Sequence, residues 1–440
     1  MRQVLMPLKH LLAKPLVRRI GSNMGWLVME RGIRIVVGLV VTVWIARYFG
    51  PAQYGNLGFA MAFTAILGIV CSLGLEGIAV RDIARAPDQA GVILGTALWL
   101  RIAASLVIVS LGSVVAMTLL RIDVDARLLT CIVLLSLVFQ SAETFDYWYR
   151  STLNSRLTVT SRLGALLICS AARVALILLS ASLLAFGAMV VVESLVFAIA
   201  MLIAFRAHAT SSRLSFSRVQ AVSLLRDSLP FLLAGIATLV CLRVAQVLLP
   251  QLSSAEQNGL YGAVLPITEG FYVLSTSASV TLLPVFSRLL NENPARFQRM
   301  FERLLWGIIV LGVVIALTVS VGADLLVRLL LGERYAQAGG VLRIHSWSIV
   351  FVFLSVIENI WIVLHNHGPA KLYKNVVGAV ANIGLGFLLI PSLGAQGAAL
   401  AGVISFFCLS YLSNAIFVPP LFRMQSRLLL PWTWPALWRA

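Results

Sequence analysis

The chain has 440 residues, of which 60% are hydrophobic and only 12% are charged, and its mean hydropathy is strongly positive. This composition excludes a sizeable soluble domain and indicates a protein built for the lipid bilayer. The net charge of +17 does not indicate nucleic-acid binding, because the Lys and Arg residues lie in short segments between apolar runs rather than on one continuous basic surface.

Apolar runs recur along nearly the whole chain, and each is long enough to cross a hydrocarbon core of about 30 Å as a helix. We therefore predict an all-α polytopic membrane protein with about twelve transmembrane helices. The basic segment before the first run has no evident small-residue cleavage site, so we expect it to be interfacial and the first span to be an uncleaved anchor. In chain order the predicted spans are 24–46, 56–76, 92–120, 128–148, 163–184, 187–206, 228–250, 261–286, 304–323, 341–363, 373–391 and 395–418.

The distribution of basic residues between the spans predicts the orientation. With the N-terminus inside, the inside segments hold about 23 Lys and Arg residues and the outside loops hold about 6. Segments rich in Lys and Arg stay in the cytoplasm, so both termini are expected there.

A basic connection between residues 206 and 226 divides the chain nearly in half and predicts a joint between two six-helix lobes. A faint repeat agrees, since Gly55 and Gly58 after the first span correspond to Gly259 and Gly262 after the seventh. Parallel repeats of this kind are expected to handle substrate between them. The predicted organisation is a cytoplasmic or interfacial segment (1–22), an N-terminal lobe (23–206), a basic cytoplasmic linker (207–227), a C-terminal lobe (228–418) and a cytoplasmic tail (419–440).

The first span carries ionisable residues. A charge near the bilayer centre costs about 2.5–3.5 kcal/mol on insertion scales, so it must face protein, water or ligand. Glu30, Arg31 and Arg34 share one face of this span with Gly38. A Glu30–Arg34 salt bridge that merely locks helix packing would leave Arg31 unpaired. We favour the alternative, an anion site that faces a cavity.

Arg243 holds the matching place in the seventh span. Its neighbours Leu242, Val244 and Ala245 offer no acid, which predicts an unpaired guanidinium suited to a ligand phosphate. Arg31, Arg34 and Arg243 are therefore the candidate anion-binding residues.

Two later spans carry stripes of polar residues at steps of three or four. Such a stripe either lines a water-filled path or joins helices through hydrogen bonds, and both interpretations stay open. We expect Glu269, Tyr272 and Thr276 to face substrate, and we regard Glu30 and Glu358 as candidates for ion coupling. The stripes comprise Glu269, Tyr272, Thr276 and Ser279 on the eighth span, and Ser348, Ser355, Glu358 and Asn359 on the tenth.

The other ionisable residues of the spans favour structural roles. Arg101 is close enough to the cytoplasmic end of the third span to snorkel, and Arg173 is expected to pair across helices with Glu193 or Glu143. The sequence has no nucleotide-binding loop, catalytic triad or metal-ligand spacing. We therefore expect neither an enzyme nor a bound metal or other cofactor.

Short segments at loops and helix ends follow one another in a distinctive order. They are Ala46-Arg47-Tyr48-Phe49-Gly50-Pro51-Ala52-Gln53-Tyr54-Gly55, Leu73-Gly74-Leu75-Glu76-Gly77, Arg81-Asp82-Ile83-Ala84, Asp146-Tyr147-Trp148-Tyr149, Leu242-Arg243-Val244, Gly259-Leu260-Tyr261, Leu331-Gly332-Glu333-Arg334-Tyr335 and Ile390-Pro391-Ser392-Leu393-Gly394-Ala395. Over about residues 20–418 the chain resembles the Wzx-type flippases of the multidrug/oligosaccharidyl-lipid/polysaccharide (MOP) superfamily. Those flippases commonly have an aspartate where this chain has Ala245, which puts acid–base coupling at that position in doubt.

The resemblance implies two six-helix bundles around a central cavity in the bacterial inner membrane. It also implies a substrate class, the polyprenyl-pyrophosphate-linked oligosaccharides used for O-antigen, capsule or exopolysaccharide synthesis, with a polysaccharide polymerase and glycosyltransferases as candidate partners. A pyrophosphate carries about two negative charges, so its entry into low dielectric needs cations such as Arg31, Arg34 and Arg243.

Two other functions remain as alternatives. A cation-coupled small-molecule exporter of the multidrug type would use Glu30, Glu269 or Glu358 to carry protons. A membrane-embedded glycan polymerase or ligase would usually carry its chemistry on large extracytoplasmic loops, whereas the longest outside loop expected here is roughly residues 324–342.

Overall fold

The computed structural model describes residues 15–152, 154, 156–208 and 214–428, and this part of the chain forms helices and no β-strand. Short 3₁₀ turns lie at Pro87–Gln89, Ser141–Glu143 and Glu333–Tyr335, and a π-helical turn at Cys408–Leu412. The α-helices are α1 (Pro15–Ser72), α2 (Leu75–Arg85), α3 (Ala90–Thr118), α4 (Val124–Leu134), α5 (Ser136–Gln140), α6 (Thr144–Ser151), α7 (Arg156–Leu178), α8 (Leu183–His208), α9 (Arg218–Leu252), α10 (Ala255–Glu292), α11 (Pro294–Val321), α12 (Ala323–Leu331), α13 (Ala338–His345), α14 (Ser348–Leu364), α15 (Gly368–Phe407), α16 (Ser413–Phe417) and α17 (Pro419–Leu428).

Within the described residues, 10 helical segments are long and apolar enough to cross a membrane. Two of them, Gly32–Arg85 with 54 residues and Gly368–Phe417 with 50, are about twice as long as a single span requires. Each contains a break, at Gly50 in α1 and at Gly394 in α15. Division of both segments at these glycines raises the number of spans from 10 to twelve. The prediction of an all-α polytopic membrane protein with about twelve spans is thus confirmed.

Both breaks have backbone angles that favour glycine. Gly50 has φ 75° and ψ 176°, and Pro51 then begins the next span with its ring in the first helical turn. Gly394 has φ 55° and ψ −128°. Beside it, the side-chain oxygen of Gln257 accepts the backbone N–H of Ala395 at 2.9 Å. This bond supplies a partner for one of the N–H groups that a new helix start leaves open.

The first of two compact units comprises the described residues up to Val41 together with Leu67–Leu119 and Arg127–Leu232. Its core forms where α2, α3, α6 and α8 pack, and Phe145 of α6 meets Phe205 of α8 with ring centroids 4.7 Å apart. Burial of this apolar surface stabilises the unit and fixes its helices against one another.

The second compact unit comprises Thr42–Ile66, Leu120–Ala126 and the described residues from Leu233 onward. Aromatic side chains from α10, α11 and α14 form a large buried cluster in it. In α11 the rings of Phe297 and Phe301 stack at 5.8 Å, and both meet Phe286 of α10 edge-on at 5.7 Å. Leu421 and Met424 of α17 join this cluster, which fixes the C-terminal helix onto the unit.

The two glycine pairs that suggested an internal repeat come together within the second unit. A Cβ atom on Gly55 would overlap the carbonyl of Ala255, and one on Gly259 would overlap the carbonyl of Pro51. Asn258 closes the crossing by donating from Nδ2 to the Gly55 carbonyl at 2.7 Å. These glycines are therefore required because two helix backbones approach each other closely.

The expected lobe boundaries, 23–206 and 228–418, stay a prediction, and the compact units follow the chain differently because Thr42–Ile66 groups with the second unit. Much of the expected linker is helical, since α8 extends to His208 and α9 begins at Arg218, while residues 209–213 lie outside the described residues. The expected tail forms α17 over its first ten residues. The expected interfacial segment and the end of the tail fall outside the described residues over 1–14 and 429–440.

Candidate functional site

The charged face of the first span is paired within α1. Arg34 forms a salt bridge with Glu30 one turn earlier. The Glu30 side chain is only 9% exposed, whereas that of Arg34 is 44% exposed. The side chain of Arg31 lies outside the described residues. The salt bridge that the sequence allowed as an alternative is present, and the Arg34 side chain as a whole stays 44% exposed.

Arg243 was expected to lack an acidic partner, and this expectation is wrong. Its Nη1 lies 2.9 Å from Oε1 of Glu269, and its Nη2 donates to Oε2 at 3.0 Å. The sequence neighbours considered for the pairing lie on α9, but the acid comes from the following helix, α10. Gln246 adds a longer contact at 3.5 Å.

The Arg243–Glu269 pair is a two-pronged ion pair in which two N–H groups match two carboxylate oxygens, the strongest common geometry for arginine. The two side chains are 28% and 29% exposed, so neither is sealed in the core. A planar guanidinium held in this way is already oriented for an oxyanion of similar shape, such as a phosphate. Chemically, the pair can exchange its carboxylate for a ligand anion.

The polar stripe of α10 makes contacts within the second unit. Tyr272 shares a hydrogen bond of 2.9 Å with Ser348 of α14, and Ser279 donates to the carbonyl of Val356 at 3.4 Å. Thr276 donates to a carbonyl of its own helix, that of Val273, at 3.1 Å. Two members of the stripe therefore join helices, which is one of the two interpretations open from the sequence. Substrate contact by Tyr272 and Thr276 stays a prediction.

Glu358 is fully buried and paired with a lysine that sequence reasoning missed. Its Oε2 meets Nζ of Lys374, whose side chain is 4% exposed. Its Oε1 accepts a hydrogen bond from Gln425 of α17. Asn414 in turn donates to Gln425 at 3.1 Å. Lys374 stands at the very beginning of the predicted eleventh span, yet it is buried among the packed helices.

Two arginines of the first unit have structural partners. The expected pairing of Arg173 is confirmed, because its Nη2 lies 2.7 Å from Oε2 of Glu193. The expectation that Arg101 snorkels is wrong, since its side chain is only 5% exposed. It donates to Tyr147 at 3.0 Å and to Glu143 at 3.2 Å. Hydrogen bonds from the Arg101 guanidinium to these partners inside the helix bundle take the place of hydrogen bonds to water.

A family model described as "Polysaccharide biosynthesis protein" matches residues 20–290 of the chain. A search of curated proteins gives no match. The family match spans more than half of the chain and includes most of α1, all of α2 to α9 and most of α10, so it contains Arg34, Arg243 and Glu269.

Solved structures of MOP superfamily transporters share the fold. An inward-facing multidrug resistance MATE family transporter is 13% identical with a TM-score of 0.68, over 89% of this chain and 95% of that chain. The lipid II flippase MurJ in an inward closed conformation is 13% identical with a TM-score of 0.64, over 91% and 90%. A MOP superfamily transporter from Pyrococcus furiosus is 14% identical with a TM-score of 0.56, over 91% and 95%. At these identities the likeness concerns the fold.

Proposed function

Because the chain belongs to the polysaccharide biosynthesis protein family, we propose that it is a flippase rather than an enzyme. Its substrates are polyprenyl-pyrophosphate-linked oligosaccharide repeat units, which it moves across the bacterial inner membrane for O-antigen, capsule or exopolysaccharide synthesis. Both termini lie in the cytoplasm. The MOP transporter fold and its similarity to a lipid II flippase support this proposal.

The observation that carries the proposal is the exposed side chain of Arg34 on a membrane-length helix. It is 44% exposed even though it pairs with Glu30. A cation inside a span is too costly to face lipid, so we expect it to face water or an anionic ligand. An anion such as pyrophosphate, with about two negative charges, matches this requirement.

In the proposed mechanism, carboxylates keep the arginines oriented until substrate arrives. Glu30 holds Arg34, and Glu269 holds Arg243 in a two-pronged pair. At each arginine, a phosphate oxygen of the substrate takes over hydrogen bonds from the carboxylate, so the guanidinium exchanges one anion for another instead of being dehydrated without a partner. Arginine suits this exchange better than lysine because its planar donors match both carboxylate and phosphate oxygens.

The experiment is repeat-unit export in cells that lack their own flippase and depend on this chain. We expect Arg34→Ala combined with Arg243→Ala to abolish surface glycan, and Arg243→Lys to reduce it because the two-pronged geometry is lost. Arg288→Ala is the matched control, since Arg288 is exposed in the last turns of α10 and has no part in the proposed site.

Membrane amounts of each variant are compared by immunoblotting, so that loss of export is separated from loss of protein. Export at the wild-type level in the double variant would contradict the assignment. A loss of export in the Arg288→Ala control at normal abundance would show that the effect is not specific to the two arginines.

A second candidate is a cation-coupled exporter of small molecules. The fold similarity to multidrug resistance transporters favours it, as do the carboxylates of Glu30 and Glu269 inside the spans. In that case expression would raise drug tolerance and deletion would leave surface glycan intact. We expect the reverse, namely unchanged drug tolerance and lost glycan.

A further inference from the structure

Arg162, in the second turn of α7, has a loose ion pair with a carboxylate that it shares. Its Nη2 lies 3.8 Å from Oε1 of Glu143, which is beyond hydrogen-bond distance. The other oxygen of this carboxylate meets Arg101 at 3.2 Å. Arg101 also donates to the hydroxyl of Tyr147 and to the carbonyl of Gln140, each at 3.0 Å. Glu143 therefore belongs mainly to Arg101 and leaves Arg162 weakly paired.

The Arg162 guanidinium is nevertheless held in place. Its Cζ lies over the ring of Phe197 on α8, 5.0 Å from the ring centroid. A cation–π contact of this kind holds the group without using its N–H donors. In the part of the chain that the structure describes, these donors have no acceptor within hydrogen-bond distance. Since the side chain is also 25% exposed, its donors are available to a ligand.

The helices α1 and α7 are neighbours in the first unit, and this brings Arg162 close to Arg34. The guanidinium of Arg156, at the start of α7, lies 5.3 Å from the ring centroid of Trp26 on α1. From this contact Arg34 is eight residues further along α1, about 12 Å, and Arg162 is six residues further along α7, about 9 Å. These are the first and fifth predicted spans, which run in the same direction because successive spans alternate. The two arginines thus lie within about one helical turn of each other in depth.

This region of the first unit carries more positive than negative charge. The charges of Arg162, Glu143 and Glu193 all act on the Arg34 guanidinium. Together with their partners, the described ionisable side chains are the four cations Arg34, Arg101, Arg162 and Arg173 and the three acids Glu30, Glu143 and Glu193. One positive charge is therefore in excess. Because Arg34 and Arg162 repel each other, an anion between them would stabilise both.

We propose that Arg162 joins Arg34 in binding the pyrophosphate of the lipid-linked substrate. This inference rests on the proposed function and adds a second cation to the site in the first unit. Two arginines from different helices match the two phosphate groups of a pyrophosphate, with several N–H donors for each. Arg162 directly precedes the predicted span 163–184, on the cytoplasmic side of Arg34. A substrate that arrives from the cytoplasmic leaflet meets Arg162 first, and Arg162 gives up only a weak ion pair to bind it.

The test measures binding to the purified full-length protein in phosphatidylcholine nanodiscs. The probe is a polyprenyl-pyrophosphate oligosaccharide with a fluorescent sugar, and its fluorescence anisotropy reports binding. Arg162→Gln removes the charge. Arg156→Gln is the matched control, because Arg156 lies on the same helix, also contacts an aromatic ring and is exposed outside the proposed site.

We expect the wild-type protein and Arg156→Gln to bind alike, and Arg162→Gln to bind about tenfold more weakly, as expected for loss of a hydrogen bond to a charged group. Arg162→Lys keeps the charge but loses the planar donors, so its affinity should fall in between. Wild-type affinity of Arg162→Gln would overturn this inference and leave the proposed function standing. Absence of binding by the wild-type protein would contradict the proposed function, and this inference with it.

Phosphatidylglycerol serves as the competitor, because an anionic phospholipid also presents a phosphate. We expect it to displace the probe only in large excess, since it has a single phosphate. Displacement by an equal amount would assign the two arginines to membrane lipid and overturn the inference. If Arg162→Gln is poorly folded, Arg162→Lys carries the comparison, and wild-type affinity of that variant would then contradict the role of Arg162.

Discussion

At the scale of single residues, the degree of exposure separates the ion pairs of this protein into two kinds. Glu358 and Lys374 are 0% and 4% exposed and are held by neighbours on every side. Arg243 and Glu269 are 28% and 29% exposed, and Arg34 is 44% exposed. A sealed pair can hardly exchange its partner for a ligand, whereas an open pair can. The arginines proposed to bind pyrophosphate belong to the open kind.

The sealed pair predicts a distinctive stability pattern. Lys374→Met leaves the Glu358 carboxylate buried without its cation, which costs about 3–5 kcal/mol. Replacing both residues by Met removes both charges and recovers much of that loss. The exposed pair Arg328–Glu333, 62% and 78% exposed, is the control, and Arg328→Met there is expected to cost less than about 1 kcal/mol.

Thermal unfolding of the purified variants in one detergent measures these differences. We expect Lys374→Met to unfold at a clearly lower temperature than either the wild type or Arg328→Met. If Lys374→Met and Arg328→Met unfolded together, the buried pair would not stabilise the fold as described.

At the scale of helices, breaks at glycine turn two very long helices into four spans. The break at Gly394 has a positive φ of 55°, and a Cβ atom there would lie 2.5 Å from Oε1 of Gln257. Gln257 is the residue that accepts the N–H of Ala395. A side chain at position 394 would therefore strain the backbone and disturb the start of the next span.

We expect Gly394→Ala to destabilise the protein by about 1–3 kcal/mol. Gly384→Ala is the control, because a Cβ atom at Gly384 has open space around it and alanine favours helix over glycine by about 1 kcal/mol. Thermal unfolding of the two variants should shift in opposite directions. A Gly394→Ala protein as stable as the wild type would contradict this role of the break.

Sequence patterns predicted the helices well and the partners of their charges poorly. Length and apolarity determine a span locally, which is why the twelve predicted spans were found. Pairing depends on which helices lie side by side, so a search among the neighbours of Arg243 on its own helix missed Glu269. For the pair Glu358–Lys374, however, the sequence did contain a signal of the pairing. Glu358 and Lys374 stand at similar distances before and after the turn at 365–367, so two antiparallel helices bring them to the same depth.

Contacts between residues far apart along the chain were equally hidden from local patterns. The expected outside loop at 324–342 is largely helical, in α12 and α13. Tyr335 from this segment is buried, which raises the pKa of its hydroxyl, and it donates to the carbonyl of Ala46 at 3.0 Å. The two segments are 289 residues apart along the chain. Their contact brings together two of the segments that carry the family resemblance, although nothing in either segment alone points to the other.

At the scale of the whole molecule, composition, span number and family agree. The chain is a multi-pass membrane protein with the MOP transporter fold, and it belongs to the polysaccharide biosynthesis protein family. We propose that the partly exposed arginines inside the spans, Arg34 and Arg243, let the pyrophosphate of a lipid-linked oligosaccharide enter the membrane-embedded part of this protein.

Translocation in reconstituted vesicles tests that claim most directly. A polyprenyl-pyrophosphate oligosaccharide with a fluorescent sugar is placed in one leaflet, and its arrival in the other is followed by accessibility to a membrane-impermeant quencher. We predict rapid translocation with the wild-type protein and with Arg288→Ala, and vesicle-background rates with the Arg34→Ala, Arg243→Ala double variant. Translocation by the double variant at the wild-type rate would contradict the account.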